Sequence, residues 1–468
     1  MTRVATPRPA RLREREERET RAVGHVHAPS LSMLVSSLAL IGSKVATMGF
    51  GFIFWLVAAR LFPVASVGLA AGAVSAVMLC TQLALLGLGS SVIVHYPAHR
   101  RRPFVLLDTA FTIVFVSSLL AAGVFFAVAA LGLHELRLVA TQPLFAVSFA
   151  AMTVLGTATI LLDQVSTAIR RGDQALVRAA GFGATTVALL LAVAVLTGTT
   201  EPAVIFSTWV GGGLFACTLG ALHLRRSFAP YRYTPRMNRA VASGLLRVGI
   251  PNHLLTLTER LPGLVLPIIV IELLSPSANA AWYTAWMMAW VVYIIPIQVG
   301  MTSFAEASHR PQELGSLVRY GVRTSLLIGL ATAAVAGLAA QLLLSILGHH
   351  YAQAGSTPLR ILLVAVVPLT IIQAYFVACR ATGKLSEAIA TGMANAAFSI
   401  GGAAAAATIW GLPGIAATWL GAQVATSCWA GWRVRRLVAS PPEPARRTQV
   451  VPQGAEIAPA PLSEASAE

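Results

Sequence analysis

Asn252, His253, Thr256, Glu259 and Arg260 crowd into one short piece of an otherwise apolar stretch. On a helix, Asn252, Thr256 and Glu259 recur at i, i+4 and i+7, and His253, Thr256 and Arg260 at i, i+3 and i+7, so all five share one broad stripe. Lys44 and Asp108 are just as isolated, each inside a run of apolar residues. A guanidinium offers a planar fork of donors and an ammonium a point charge, and the pair suits an anion such as a pyrophosphate. Lys44, Arg260, Glu259, His253, Asn252 and Asp108 are therefore the candidate substrate-binding residues. A plainer reading has Lys44 bridging to Asp108 and Arg260 to a carboxylate on a neighbouring element. Both readings stay open at the level of sequence.

Other chemistry is missing. There is no G-x-x-x-x-G-K-[ST] phosphate loop, HExxH, GxSxG or Cys/His nucleophile arrangement. Cys80, Cys217, Cys379 and Cys428 lie in apolar stretches without metal spacing and read as packing residues. No catalytic residue, metal or cofactor is expected, and the chain is not expected to be an enzyme. With no ATP site, any transport must run on an ion gradient, the membrane potential or the substrate gradient.

The elements that must position these charges follow from composition. Of 468 residues, 56% are hydrophobic and 11% charged, and the mean hydropathy is +0.73, which excludes a water-soluble globule. With polar tails set aside, the chain has room for about twelve spans of about 20 residues. Apolar runs occur at Leu34–Ala58, Val67–Leu88, Val105–Ala130, Leu144–Leu162, Ala179–Leu196 and Ala203–Leu222. Six more follow at Ile250–Leu273, Ala281–Thr302, Val322–Leu347, Leu359–Cys379, Ala388–Thr408 and Leu412–Trp432. Strand alternation is absent, and inside lipid only helices or closed barrels satisfy the backbone, so helices are expected. The fold class is all-α integral membrane, about twelve helices in two six-helix lobes around a central cavity.

Of the 34 Lys and Arg, all but Lys44, Arg60, Arg137, Arg260 and Arg360 fall in tails and connections on one side. That asymmetry makes the +16 net charge a topology signal, with both termini cytoplasmic, and argues against a nucleic-acid partner. It also suits anionic headgroups. Arg170, Arg171 and Arg178 are counted together in one such connection, and Asp163 and Glu306, beside Arg at span ends, read as interfacial pairs. The expected organisation is a basic tail over residues 1–30, a first lobe over 31–224, a basic cytoplasmic linker over 225–249, a second lobe over 250–437 and a disordered tail over 438–468. Aligning Pro63 with Pro276 brings Lys44 to within about one turn of Arg260 in the two halves.

Several segments resemble polysaccharide flippases of the multidrug/oligosaccharidyl-lipid/polysaccharide exporter superfamily, of the actinobacterial polysaccharide-biosynthesis type. They are Ala59-Arg60-Leu61-Phe62-Pro63 with Gly68, Gly87-Leu88-Gly89-Ser90-Ser91, Leu162-Asp163-Gln164 with Arg170-Arg171-Gly172-Asp173, Asn252-His253-Leu254, Phe304-Ala305-Glu306-Ala307-Ser308-His309, Tyr351-Ala352, Leu359-Arg360 and Cys379-Arg380-Ala381-Thr382-Gly383-Lys384. The resemblance implies alternating access and transport of polyprenyl-(pyro)phosphate-linked oligosaccharide or polysaccharide across the cytoplasmic membrane, for cell-envelope synthesis. It also implies cations on the first and seventh to eighth spans lining the path, which agrees with Lys44 and Arg260. Expected partners are that lipid-linked glycan, anionic lipids, and a glycan polymerase or glycosyltransferases of the same pathway. The rival functions are a cation-coupled multidrug exporter of the same superfamily, whose cationic cargo would favour carboxylates, and a membrane glycan polymerase or ligase. The latter would need paired carboxylates on a sizeable outer loop; the outer acids Glu135, Glu201 and Glu272 lie in short connections.

Overall fold

The computed structural model describes residues 31–100, 103–228 and 231–439. The two tail readings, over 1–30 and 438–468, fall outside these residues except at the very end of the last helix. Every regular element described is helical. The first six spans are α1 (Leu31–Leu61), α2 (Val64–Leu85) continued by α3 (Leu88–His95), α4 (Pro103–Gly132), α6 (Pro143–Ala168), α7 (Gly172–Thr197) and α8 (Pro202–Ser227), with a short α5 (Arg137–Thr141) between α4 and α6. Then follow α9 (Arg239–Leu273), α10 (Pro276–His309), α11 (Leu314–Leu338), α12 (Ala340–Ser345), α13 (His349–Val364), α14 (Val366–Ala381) and α15 (Leu385–Ala439).

Ten of the described helices are long and apolar enough to cross a membrane, and α13 with α14 makes an eleventh as a pair bent by 42°. Pro368 accounts for the bend: it has no N–H for the carbonyl of Val364, where α13 stops. α15 is itself two helices that meet at Gly411, whose φ of 59° and ψ of −148° are open only to glycine. Each half is long enough to cross about 30 Å of hydrocarbon, so the apolar runs at 388–408 and 412–432 are separate spans joined by a one-residue turn. The architecture is that of an all-α, multi-pass membrane protein.

Helix starts in the second half repeat those of the first. Val64 and Pro276, Pro103 and Leu314, and Gly172 and Leu385 are separated by 212, 211 and 213 residues. Contacts group the described residues differently, into one unit of those up to Thr284 with Leu342–Gly355, and another of Ala285–Gln341 with those from Ser356 to Ala439. α9 and the first turns of α10 thus pack with the first six spans. At one such junction Asn279 Nδ2 donates to the Gly68 carbonyl at 2.8 Å, and both groups are buried.

In the first unit, α1 rests chiefly on α7, while α2, α4, α6 and α8 enclose aromatic and aliphatic side chains including the stacked Phe125 and Phe149. Exposed Leu, Val and Phe line the outer faces of α4, α7 and α11; lipid is their solvent. Cys80 and Cys379 are buried as packing residues, Cys217 is partly buried, and Cys428 is exposed, against the packing reading for that residue.

Candidate functional site

α9 starts cleanly because Asn238 caps it, accepting from the amides of Ala240 and Val241 at 3.0 and 3.1 Å. Its buried face runs through Leu245, Gly249, Leu255, Thr258, Pro262, Leu266 and Val270. Gly249 meets Gly87, which sits at φ 76° in the break between α2 and α3. A Cβ on Gly87 would lie 2.2 Å from the Gly249 carbonyl, so the two backbones touch where Pro251 interrupts the α9 ladder. Ser91 Oγ donates to the Leu245 carbonyl at 2.6 Å and fixes the same crossing.

The opposite face is the polar stripe. Asn252 and Arg260 are exposed and Thr256 and Glu259 half-buried, so none is taken into the core of its own unit. Asn252 Nδ2 donates to the Val248 carbonyl at 3.2 Å and Thr256 Oγ1 to the Asn252 carbonyl at 3.3 Å, bonds within the helix that leave the stripe's outer side open. Arg260 lies beside Glu259, and the two charges interact. His253 stands apart from this group. Its Nε2 lies 2.7 Å from the Gln82 carbonyl, which ties α9 to α2.

Lys44 is likewise exposed, on a face of α1 that α7 leaves uncovered. The carboxylate that its charge reaches is Asp163 on α6. Asp108 has other partners: its Oδ1 accepts from Tyr231 Oη at 2.8 Å and the Thr234 amide at 3.3 Å, and its Oδ2 from Thr234 Oγ1 at 2.8 Å. The alternative Lys44–Asp108 bridge is thus not formed. Asp108 instead straps the segment before α9 onto the start of α4, helped by Tyr231 stacked on Phe104 and by Thr109 accepting from the Asn238 amide. Burial and the neighbouring carboxylate push the Tyr231 phenol far above its ordinary pKa, so it remains a donor at any physiological pH.

Asp163 is in an ion pair, as read, but its partner was misplaced. Arg178 was counted as a connection residue, yet it lies in α7 and is 1% exposed. It donates to Asp163 Oδ1 through Nη2 at 2.7 Å and Nε at 3.2 Å, and to Ser166 Oγ at 2.8 Å, with His223 Nδ1 3.4 Å away. The available signal was its place beyond Gly172, where the helix had already begun. The second unit holds a comparable clamp, in which Arg433 donates to both oxygens of Glu387 at 2.6 and 2.8 Å and Tyr375 Oη adds a bond at 3.1 Å. Glu306 pairs with Arg310 at 3.3 Å at an exposed helix end, as read.

The structure therefore brings Asn252, Thr256, Glu259 and Arg260 onto one open face and leaves Lys44 open on α1. Three acids of the first unit are held by protein: Asp108 by the strap, Asp163 by Arg178, and Glu272 by the amides of His134, Glu135 and Leu136 at 2.6 to 3.2 Å. Among the described residues no group of His, Cys, Asp and Glu could hold a metal.

No family model matches the sequence, and no curated protein matches it. Solved structures do match in shape. An inward-facing multidrug-resistance MATE-family transporter of the MOP superfamily aligns with a TM-score of 0.65 at 15% identity, over 85% of this chain and 98% of that one. The lipid II flippase MurJ in an inward closed conformation gives 0.67 at 10% identity, over 86% and 87%. A MOP-superfamily transporter from Pyrococcus furiosus, described by a binding pocket of reversed polarity, gives 0.59 at 15%, over 88% and 97%. At such identities the likeness is one of architecture, and its conclusion is that the chain has the fold of the MOP-superfamily transporters.

Proposed function

We propose that this protein is a flippase that moves a polyprenyl-(pyro)phosphate-linked glycan across the cytoplasmic membrane by alternating access, with both termini in the cytoplasm. The observation that carries the reading is that two cations of the first unit, Lys44 and Arg260, stand exposed within spans while three of its acids, Asp108, Asp163 and Glu272, are held by protein donors. A guanidinium in a span is costly against lipid, so it belongs on a water-accessible path where an anion can meet it. A phosphate-bearing cargo supplies that anion, and Asn252 and Thr256 on the same stripe add neutral hydrogen-bonding groups. The fold supports transport in general, since a drug transporter and a flippase both share it.

The second reading, a cation-coupled drug exporter, draws on Glu259, the one acid of the stripe. Export separates the two. Arg260→Ala and Lys44→Ala, each present in the membrane at the parent level, are expected to block delivery of glycan to the outer leaflet and to leave resistance to cationic compounds unchanged. Normal delivery with altered resistance overturns the flippase reading.

A further inference from the structure

The second unit carries an open groove of about 460 Å³ beside the Gly411 turn, lined by Ile361, Trp410, Pro413, Gly414, Ala417 and Thr418. Its lining is hydrocarbon and indole. The one hydroxyl there is already used, because Thr418 Oγ1 donates to the Gly414 carbonyl of its own helix at 2.8 Å. Whatever fills the groove must therefore be apolar over most of its length. Around it Ile409, Trp410 and Val364 are 68%, 66% and 57% exposed, so the groove opens on an apolar outer surface.

A charge lies next to it in the chain. Arg360 immediately precedes Ile361 on α13 and is exposed, and its Nε donates to the Gly337 carbonyl at 3.2 Å, which leaves the two terminal nitrogens for another acceptor. From Arg360 to Ala381, where α14 ends, the helical rise is about 31 Å at 1.5 Å per residue, the thickness of the hydrocarbon layer. Arg360 is thus at headgroup depth on the face opposite Arg380 and Lys384. An apolar slot with a guanidinium at headgroup level, flanked by a Trp of the kind that favours the membrane interface, matches a lipid whose head is a phosphate.

We propose that this groove seats one acyl chain of an anionic glycerophospholipid of the surrounding bilayer, with the lipid phosphate on the Arg360 guanidinium. The proposal does not depend on what the protein transports. It makes this site a specific one, distinct from the exchanging lipid that wets the rest of the surface.

The full-length protein in phosphatidylcholine vesicles tests it. Lipid with brominated chains quenches tryptophan on contact, and the difference between the parent and Trp410→Phe isolates the Trp410 signal. With bromine on phosphatidylglycerol, Trp410 is expected to be half quenched at a mole fraction several-fold lower than with bromine on phosphatidylcholine. Arg360→Gln should remove that difference, Arg360→Lys should keep part of it, and Ala417→Leu, which fills the groove, should weaken Trp410 quenching by both lipids. Helix content by circular dichroism checks that each variant is folded. Identical titrations for the two lipids, or a preference that survives Arg360→Gln unchanged, overturns the proposal. So does displacement of brominated phosphatidylglycerol by a polyprenyl phosphate at mole fractions where unlabelled phosphatidylglycerol has no effect, since the seat would then belong to an isoprenoid chain.

Discussion

Residues that lie within apolar spans yet carry charge divide here into those the protein satisfies and those it leaves open. Arg178 belongs to the first kind: it is 1% exposed and depends on Asp163 for two hydrogen bonds. Asp163→Asn should lower stability by about 1–3 kcal/mol, because an unpaired guanidinium remains inside, and the midpoint of thermal unfolding in detergent measures it. Arg260 belongs to the second kind. Arg260→Lys should restore only part of the transport lost in Arg260→Ala, since the ammonium lacks the bidentate fork; a full rescue would show that charge alone suffices. The open cations were legible in the sequence because isolation in an apolar run is itself the signal. Asp163 was legible as one half of an ion pair, but Arg178 as its buried partner was not, because Arg178 lies on another helix and nothing in the local spacing announces it. The alternative that paired Asp108 with Lys44 fails for the same reason: the donors to Asp108, Tyr231 and Thr234, are more than a hundred positions away.

At the scale of elements, apolar run length found each span but missed some ends by up to eleven residues, as where the run from Ile250 belongs to a helix that begins at Arg239; prolines and glycines then set the breaks. Leu86 and Gly87, both left-handed, split what reads as one run into α2 and α3, and Pro368 bends the tenth span. Such breaks are ambiguous in sequence, since neighbouring helices can re-satisfy a proline-broken ladder in lipid. Gly411→Ala should cost about 1–3 kcal/mol through its backbone alone, read as a lower unfolding midpoint. The strap before α9 hangs on Asp108, so Asp108→Ala should speed proteolysis within residues 231–238 while Tyr233→Phe, which loses a contact to Thr112 at an exposed site, should barely change it.

For the whole molecule, the sequence offered one point of the helical repeat, Pro63 against Pro276, which the helix starts 211 to 213 residues apart extend. The grouping of α9 with the first six spans was not legible there, since it depends on contacts such as Gly87 with Gly249 that join distant parts of the chain. The orientation proposal makes a direct prediction: a reporter fused at residue 235 behaves as cytoplasmic, and an outward signal there contradicts the topology. The central claim, that the protein delivers a lipid-linked glycan across the membrane, is tested most directly by extracting polyprenyl-linked glycans from deletion and parent cells with a probe that reaches only the outer leaflet. Full-length intermediate is expected to accumulate facing inward when the protein is removed. An inward-facing pool indistinguishable from that of the parent, in cells with no other flippase, would contradict it.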